Sequence, residues 1–160
     1  MRETEFRKSL IGTMRTSASV VIDAPNELIT KIYLDYKNWD KLFPATIRGA
    51  KLIKEENGMQ TIEVDHKKAG KVINLLRLLS FNEIKLKEFK PLYKAVFINR
   101  FLPIDGKTKY VVNAVISLKT IFKLLSPFLK SLVKNRIKNY VLYPMKKFAE
   151  KKYENSHNAG

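Results

Sequence analysis

Two histidines, His66 and His157, and no cysteine are what the chain offers as nitrogen and thiolate ligands for zinc. They lie too far apart, and are too few, to satisfy the four-ligand geometry of a zinc site. No His-Glu-x-x-His, Gly-x-Ser-x-Gly, phosphate-loop or Gly-x-Gly-x-x-Gly motif occurs. No metal, no cofactor and no catalytic residue is therefore assigned. The adjacent acids Glu55 and Glu56 fall at a turn signal and read as a solvated hairpin end. What remains is a set of polar side chains interleaved with apolar ones: Glu88, Tyr93, Asn99, Tyr110 and Tyr140, with His66 beside them. On a buried face such groups must bond each other, water or a ligand. A structural network is the favoured reading for Asn99 and Glu88, with ligand contact as the alternative. His66 is followed by Lys67 and Lys68, so a solvent-exposed strand end is favoured over an interior place. An interior His66 would orient a ligand or move a proton.

The elements that must position these residues are legible in outline. Residues 19–22 are mostly β-branched and read as a strand. Pro25 suits the first turn of a helix, where its missing N–H costs nothing, Glu27 suits the positive first turn, and Leu28, Ile29, Ile32 and Tyr33 repeat at helical spacing. A second short helix fits 36–42 and stops before Pro44. The lone Trp39 reads as an anchor of this helix rather than a ligand-stacking ring, because Trp carries much buried area.

From 47 to 118 the pattern alternates, and turn signals at Asn57-Gly58, Ala69-Gly70, 80–82, Lys90-Pro91 and Asp105-Gly106 divide it. Six strands follow, near 47–55, 59–67, 71–79, 83–89, 92–102 and 107–118. The third, V-I-N-L-L-R-L-L, fits a helix as well as a strand.

A two-residue turn at Asp105-Gly106 sets Phe101 opposite Tyr110, Asn99 opposite Val112, Phe97 opposite Ala114 and Ala95 opposite Ile116. A turn at Lys90-Pro91 sets Leu86 opposite Ala95 and Ile84 opposite Phe97, with Glu88 facing Tyr93. Both turns place one apolar set on one face, which a one-residue slip would destroy. A three-residue loop at Asn57-Gly58 sets Leu52 opposite Ile62 and Ala50 opposite Val64.

A long helix closes the chain. Ser126 and Pro127 read as N-cap and first helical residue. Leu129, Leu132, Val133, Tyr140, Val141, Met145 and Phe148 fall near one face, and the lysines mostly on the other. Unbroken over 127–152 the helix would be about 39 Å long, with a bend at Pro144. A shorter helical piece, 120–125, precedes it. Residues 154–160, with His157, read as a disordered tail behind one domain over 1–153.

A sheet with one apolar face must be covered, and only the last helix is long enough to do so. A curved sheet around one helix leaves space between them. Phe97, Phe101, Phe122, Phe128, Leu132 and Met145 would be core or cavity wall, and the small Ala95 and Ala114 favour a cavity.

The charge is uneven. Lysine and arginine number 31 against 15 acids, a formal net charge of +16. Ten basic residues and one acid lie between Lys119 and Lys152. Such a face attracts phosphate on lipid or nucleic acid, or is simply solvated. No apolar run approaches a membrane span, and the opening residues lack a signal-peptide core. The chain reads as cytoplasmic, with a peripheral membrane association open.

S-V-V-I-D-A-P-N-E-L-I at 19–29 followed by W-D-K-L-F-P at 39–44 resembles the opening of the START/Bet v 1-like (SRPBCC) superfamily, which includes polyketide cyclase and coenzyme-Q-binding domains. The resemblance extends over nearly the whole chain, and its motifs mark a fold rather than a chemistry. It implies an α+β helix-grip fold: about seven curved antiparallel strands around a long C-terminal helix, with two short helices after the first strand. It also implies a hydrophobic cavity between sheet and C-terminal helix that holds a lipid, sterol, quinone, plant hormone or polyketide, with catalysis in a minority of members. The basic last helix departs from that pattern.

Three readings follow. The first is a non-catalytic carrier or sensor of a hydrophobic small molecule, held by His66, Glu88, Tyr93, Phe97, Asn99, Phe101, Tyr110, Ala114, Phe128, Leu132 and Tyr140. Lys130, Lys134, Lys138, Lys146 and Lys147 would face an anionic membrane. The second is a polyketide cyclase or aromatase using Glu88, His66 or Tyr93 as acid–base group. The third, resting on charge alone, is a nucleic-acid- or ribosome-associated module. No helix-turn-helix, finger or RNP-like motif accompanies it.

Overall fold

Hairpin follows hairpin through most of the chain, and the sheet order records it. The computed structural model describes residues 10–91, 93–119 and 126–158. Strand β1 (Leu10–Ile22) leads into helix α1 (Asn26–Leu34), a 3-10 turn (Tyr36–Asn38) and α2 (Trp39–Leu42). Then come β2 (Ile47–Glu56), β3 (Met59–His66), β4 (Gly70–Ser80), β5 (Glu83–Phe89), β6 (Tyr93–Ile104) and β7 (Lys107–Lys119). Helix α3 (Ser126–Ile137), a π-helical turn (Lys138–Leu142) and α4 (Tyr143–Asn158) end the described chain. The seven strands form one antiparallel sheet in the order β1-β7-β6-β5-β4-β3-β2. This is the expected α+β helix-grip arrangement. The ambiguous run at 71–79 is a strand, and the helical piece expected at 120–125 lies outside the described residues.

Strand β1 begins at Leu10, well before the expected Ser19. Its inward residues Met14, Thr16, Ala18 and Ile22 are buried. Thr16 and Ala18 are small or polar, so the alternation carries little apolar signal. Pro25 is the N-cap, directly before the first helical residue Asn26. Its backbone is extended at φ −70° and ψ 148°, and its carbonyl accepts from the Leu28 and Ile29 N–H groups. The Ile29 bond is the first regular bond of the helix, and the Leu28 bond satisfies one of the donors a helix start leaves open.

Asp105 (φ 46°) and Gly106 (φ 76°) form a two-residue turn of the primed type, which needs positive φ at both centres. It sets Phe101 against Tyr110, Asn99 against Val112, Phe97 against Ala114 and Ala95 against Ile116, as expected. The β5–β6 register differs. Glu88 pairs with Ala95, Leu86 with Phe97 and Ile84 with Asn99. The Lys90 N–H donates to the Tyr93 carbonyl at 2.9 Å, so the turn closes one residue later than Lys90-Pro91 implies. Moving a turn by one residue shifts cross-strand partners by two, and side chains keep their face. Leu52 does face Ile62 and Ala50 does face Val64. The reason is not a three-residue loop: Glu56 pairs with Met59 across a two-residue turn, and a bulge between Leu52 and Lys54 absorbs the offset. A second irregularity lies between Ile47 and Gly49. Bulges of this kind bend a strand and help curl a sheet.

The last helix is not uniform. Pro144 has no N–H to give the carbonyl one turn earlier, and the chain widens into a π-turn just before it. Inward of this turn, Ile137, Leu142, Met145 and Ala149 are buried in the main core with Trp39, Phe101, Tyr110, Ile62 and Val64. Helix α4 continues to Asn158, past the expected end at Lys152, and carries the exposed His157. It is tied to the end of β1: Lys146 Nζ donates to the Val21 carbonyl at 2.7 Å. Glu150 Oε1 accepts from the Asp23 N–H at 2.8 Å.

Candidate functional site

Between the concave sheet face and the α3–π-turn segment lies a cavity of about 510 Å3. That is within the usual size range for sites that hold small molecules. Its walls are mainly apolar: Leu86 and Phe97 from β5 and β6, Val112 and Ile116 from β7, and Val133 and Ile137 from α3. The inward parity of the strands supplies the first four, and helical spacing of four residues supplies the last two.

One end of the cavity is polar. Tyr93 donates its phenol to Glu88 Oε1 at 3.0 Å. Lys90 Nζ reaches the same oxygen at 3.1 Å and lies 5.3 Å from the centre of the Tyr93 ring. His66 Nε2 is 3.7 Å from Glu88 Oε2. Glu88 Oε1 thus has two strong partners, while Oε2 has only the distant imidazole among the described residues. Burial holds the His66 imidazole below its ordinary value, with Glu88 pulling it back and Lys90 adding to the depression. Burial opposes the Lys90 charge, yet Glu88 and Tyr93 together raise its value. Burial, then Glu88, raises the Tyr93 phenol. Beside them, Asn74 pairs across to Glu88 and is 3 % exposed. Among the described residues, the buried His66 Nε2 and Asn74 Oδ1 have no hydrogen-bond partner.

The other end is aromatic. Tyr110 donates to Asn99 Oδ1 at 2.7 Å, and Asn99 Nδ2 donates to the Ile84 carbonyl at 3.4 Å. Tyr33 packs against Phe101 and Trp39, and Phe101 against Tyr110 at 4.8 Å between ring centres. Burial pushes the Tyr33 phenol far above its ordinary value, with Asn99 opposing and Glu88 adding. Burial, then Tyr33, does the same to Tyr110. Trp39 is 2 % exposed and donates its indole N–H to the Tyr33 carbonyl at 2.8 Å. It anchors α2 as expected and also lines the cavity.

Of the sequence-predicted site residues, seven line the cavity: His66, Glu88, Tyr93, Phe97, Asn99, Leu132 and Tyr140. His66 corrects the expectation of an exposed strand end, since its side chain is only 14 % exposed. Its parity with Ile62 and Val64 directs it inward, and the turn begins only after it. Phe101, Tyr110 and Ala114 are packed in the core behind the wall. Phe128 is 81 % exposed on the outer side of α3. Met145 is core, and Phe122 lies outside the described residues. The sequence reading missed Tyr33, Asn74, Lys90, Lys68 and Arg136, all of which line the cavity. Asn74 carried a signal: it shares parity with Val72 and Leu76 in an otherwise apolar run.

Among the described residues no cluster of carboxylates and histidines could hold a metal ion.

No protein-family model and no curated protein matches the chain. Solved structures do. The chain superposes on the Zhui aromatase/cyclase from Streptomyces sp. R1128 with a TM-score of 0.70 and 16% identity, over 87% of this chain and 94% of that one. For Ara h 8.0201 the TM-score is 0.68 at 15% identity, over 86% and 98% of the two chains. For a START superfamily protein from Mycobacterium smegmatis it is 0.65 at 16% identity, over 90% and 99%. At such identities the likeness concerns architecture alone, and it agrees with the strand order and helix placement above. The chain has the START/Bet v 1-like (SRPBCC) fold.

Proposed function

We propose that the chain holds a hydrophobic small molecule, such as a lipid, quinone, isoprenoid or polyketide, as a non-catalytic carrier or sensor. The observation that carries this reading is the cavity of about 510 Å3 with apolar walls. Its acid, Glu88, is bound by Lys90 and Tyr93 rather than left free for chemistry. Native mass spectrometry of the gently purified protein, with extraction of co-purified small molecules, tests it. A stoichiometric apolar molecule supports the carrier. A protein that stays empty, and takes up none of a panel of lipids and quinones, rejects it.

The same reading includes docking at an anionic membrane. No described helix is long and apolar enough to cross a bilayer. Lys130 and Lys134 on α3, and Lys147 on α4, are exposed, with Lys138 half-buried between them. Lys146 is taken up by Val21 and Glu150, which removes it from the expected set. On α3, Phe128 and Leu132 are 81 % and 52 % exposed. Apolar side chains beside lysines are the pattern of a helix lying in a membrane interface.

A cyclase or aromatase is the second reading. It rests on Glu88 Oε2, which faces a low-pKa imidazole inside an apolar cavity, an arrangement suited to proton transfer. Cyclised product from a poly-β-carbonyl thioester, lost in Glu88→Gln, would favour it over the carrier.

A further inference from the structure

The mouth of the cavity differs from its interior in charge. The exposed residues that line it are Ala45, Lys68, Ala69, Leu132, Arg136 and Tyr140. Lys68 sits in the turn between β3 and β4, and Arg136 in the last turn of α3. Neither has an ion pair or side-chain hydrogen bond among the described residues. Glu88 is the one acid among the described lining residues, and Lys90 already balances it. Among the described residues, the mouth thus presents two cations without an ion pair beside an apolar interior.

We propose that Lys68 and Arg136 form a subsite for the anionic head of an amphiphile whose apolar chain fills the cavity. The head is a carboxylate or a phosphate monoester. This rests on the carrier reading and names its ligand class. The head stays at the rim for two reasons. A lysine and an arginine give charge-assisted hydrogen bonds to an oxyanion, which are about twice as strong as neutral ones. Inside, the Lys90 ammonium is committed to Glu88, so a buried acid would meet a carboxylate and pay its desolvation uncompensated. The chain then runs along Leu86, Phe97 and Val112 toward the aromatic end.

The test is displacement of neutral Nile red from the full chain by dodecanoate, dodecyl phosphate and dodecanol, each below its aggregation concentration. The expected result is that at least one anion displaces the dye about tenfold more tightly than the alcohol. The tighter anion identifies the acid. The double variant Lys68→Gln/Arg136→Gln should bring that anion to the level of dodecanol and leave dodecanol unchanged. Both side chains are exposed, so the fold should tolerate the change. Lys109→Gln/Lys151→Gln removes the same charge at exposed sites off the cavity and should leave the preference intact. Equal displacement by anions and alcohol, or a preference that survives the double variant, overturns the subsite and leaves the carrier standing. If Nile red and all three amphiphiles stay out, the carrier reading falls and the subsite falls with it.

Discussion

His66 Nε2 stands 3.7 Å from Glu88 Oε2, near enough for their charges to interact but too far for a hydrogen bond. Burial dominates over that attraction, and the imidazole titrates below its ordinary value. The unfolded chain takes up this proton near pH 6.5, the folded chain only at lower pH. The His66 contribution is therefore complete above about pH 6.5, and stability falls as pH drops below it. Urea unfolding midpoints at about pH 7.5, 6.5 and 5.5 should decline for the native protein and decline less for His66→Gln. Identical slopes would mean that another group sets the dependence.

Tyr110 and Asn99 make a different kind of pair. Both are buried, at 0 % and 1 % exposure, and the phenol donates to the amide oxygen at 2.7 Å. Tyr110→Phe keeps the ring and its contact with Phe101 but leaves Asn99 Oδ1 without a donor. The expected cost is about 1–3 kcal/mol in urea unfolding, the penalty of one buried unsatisfied acceptor. A change below a few tenths would indicate that cavity water replaces the hydroxyl.

How these residues came to share one face was partly written in the sequence. Alternation and the Asp105-Gly106 signal set the β6–β7 register, so Asn99, Phe97 and Tyr110 were placed on the inner face without structure. The β5–β6 turn was misplaced by one residue, yet parity kept Glu88 inward. Alternation fixes which way a side chain points, not what stands behind it. That is why the sequence leaves Phe101 as core or cavity wall and offers Ala114 as a ligand contact, whereas neighbouring layers bury both in the core. Lys67 and Lys68 argue for solvent, but they belong to a three-residue turn, 67–69, and His66 closes the strand before it, paired with Gly70. Phe128 shares an apolar spacing with Leu132, and only the placement of α3 over the sheet decides that it faces outward.

Glu88 and Lys90 form an ion pair with side chains 10 % and 18 % exposed. Removing one charge strands the other. Glu88→Gln should therefore destabilise the fold by about 3 kcal/mol, at the low end for a broken buried pair. The double variant Glu88→Leu/Lys90→Met removes both charges and should recover most of that loss. If the double variant is as unstable as the single one, Glu88 acts through Tyr93 rather than through Lys90.

Phe97 lies on the cavity wall opposite Ala114, on a strand whose neighbours are fully paired. Phe97→Arg puts a long cation into the apolar space, where a bound molecule would have to displace it. The wall position leaves the guanidinium room to reach the polar end near Glu88, so the fold should survive with a loss of about 1–3 kcal/mol. Uptake of Nile red, by contrast, should disappear. Circular dichroism and a cooperative urea transition establish folding, and a fluorescence titration reads binding. A folded Phe97→Arg protein with native affinity would show that the ligand lies elsewhere. The exposed α3 face around Phe128 would then be the surface to examine, with Phe128→Ser as the variant that separates it from the cavity.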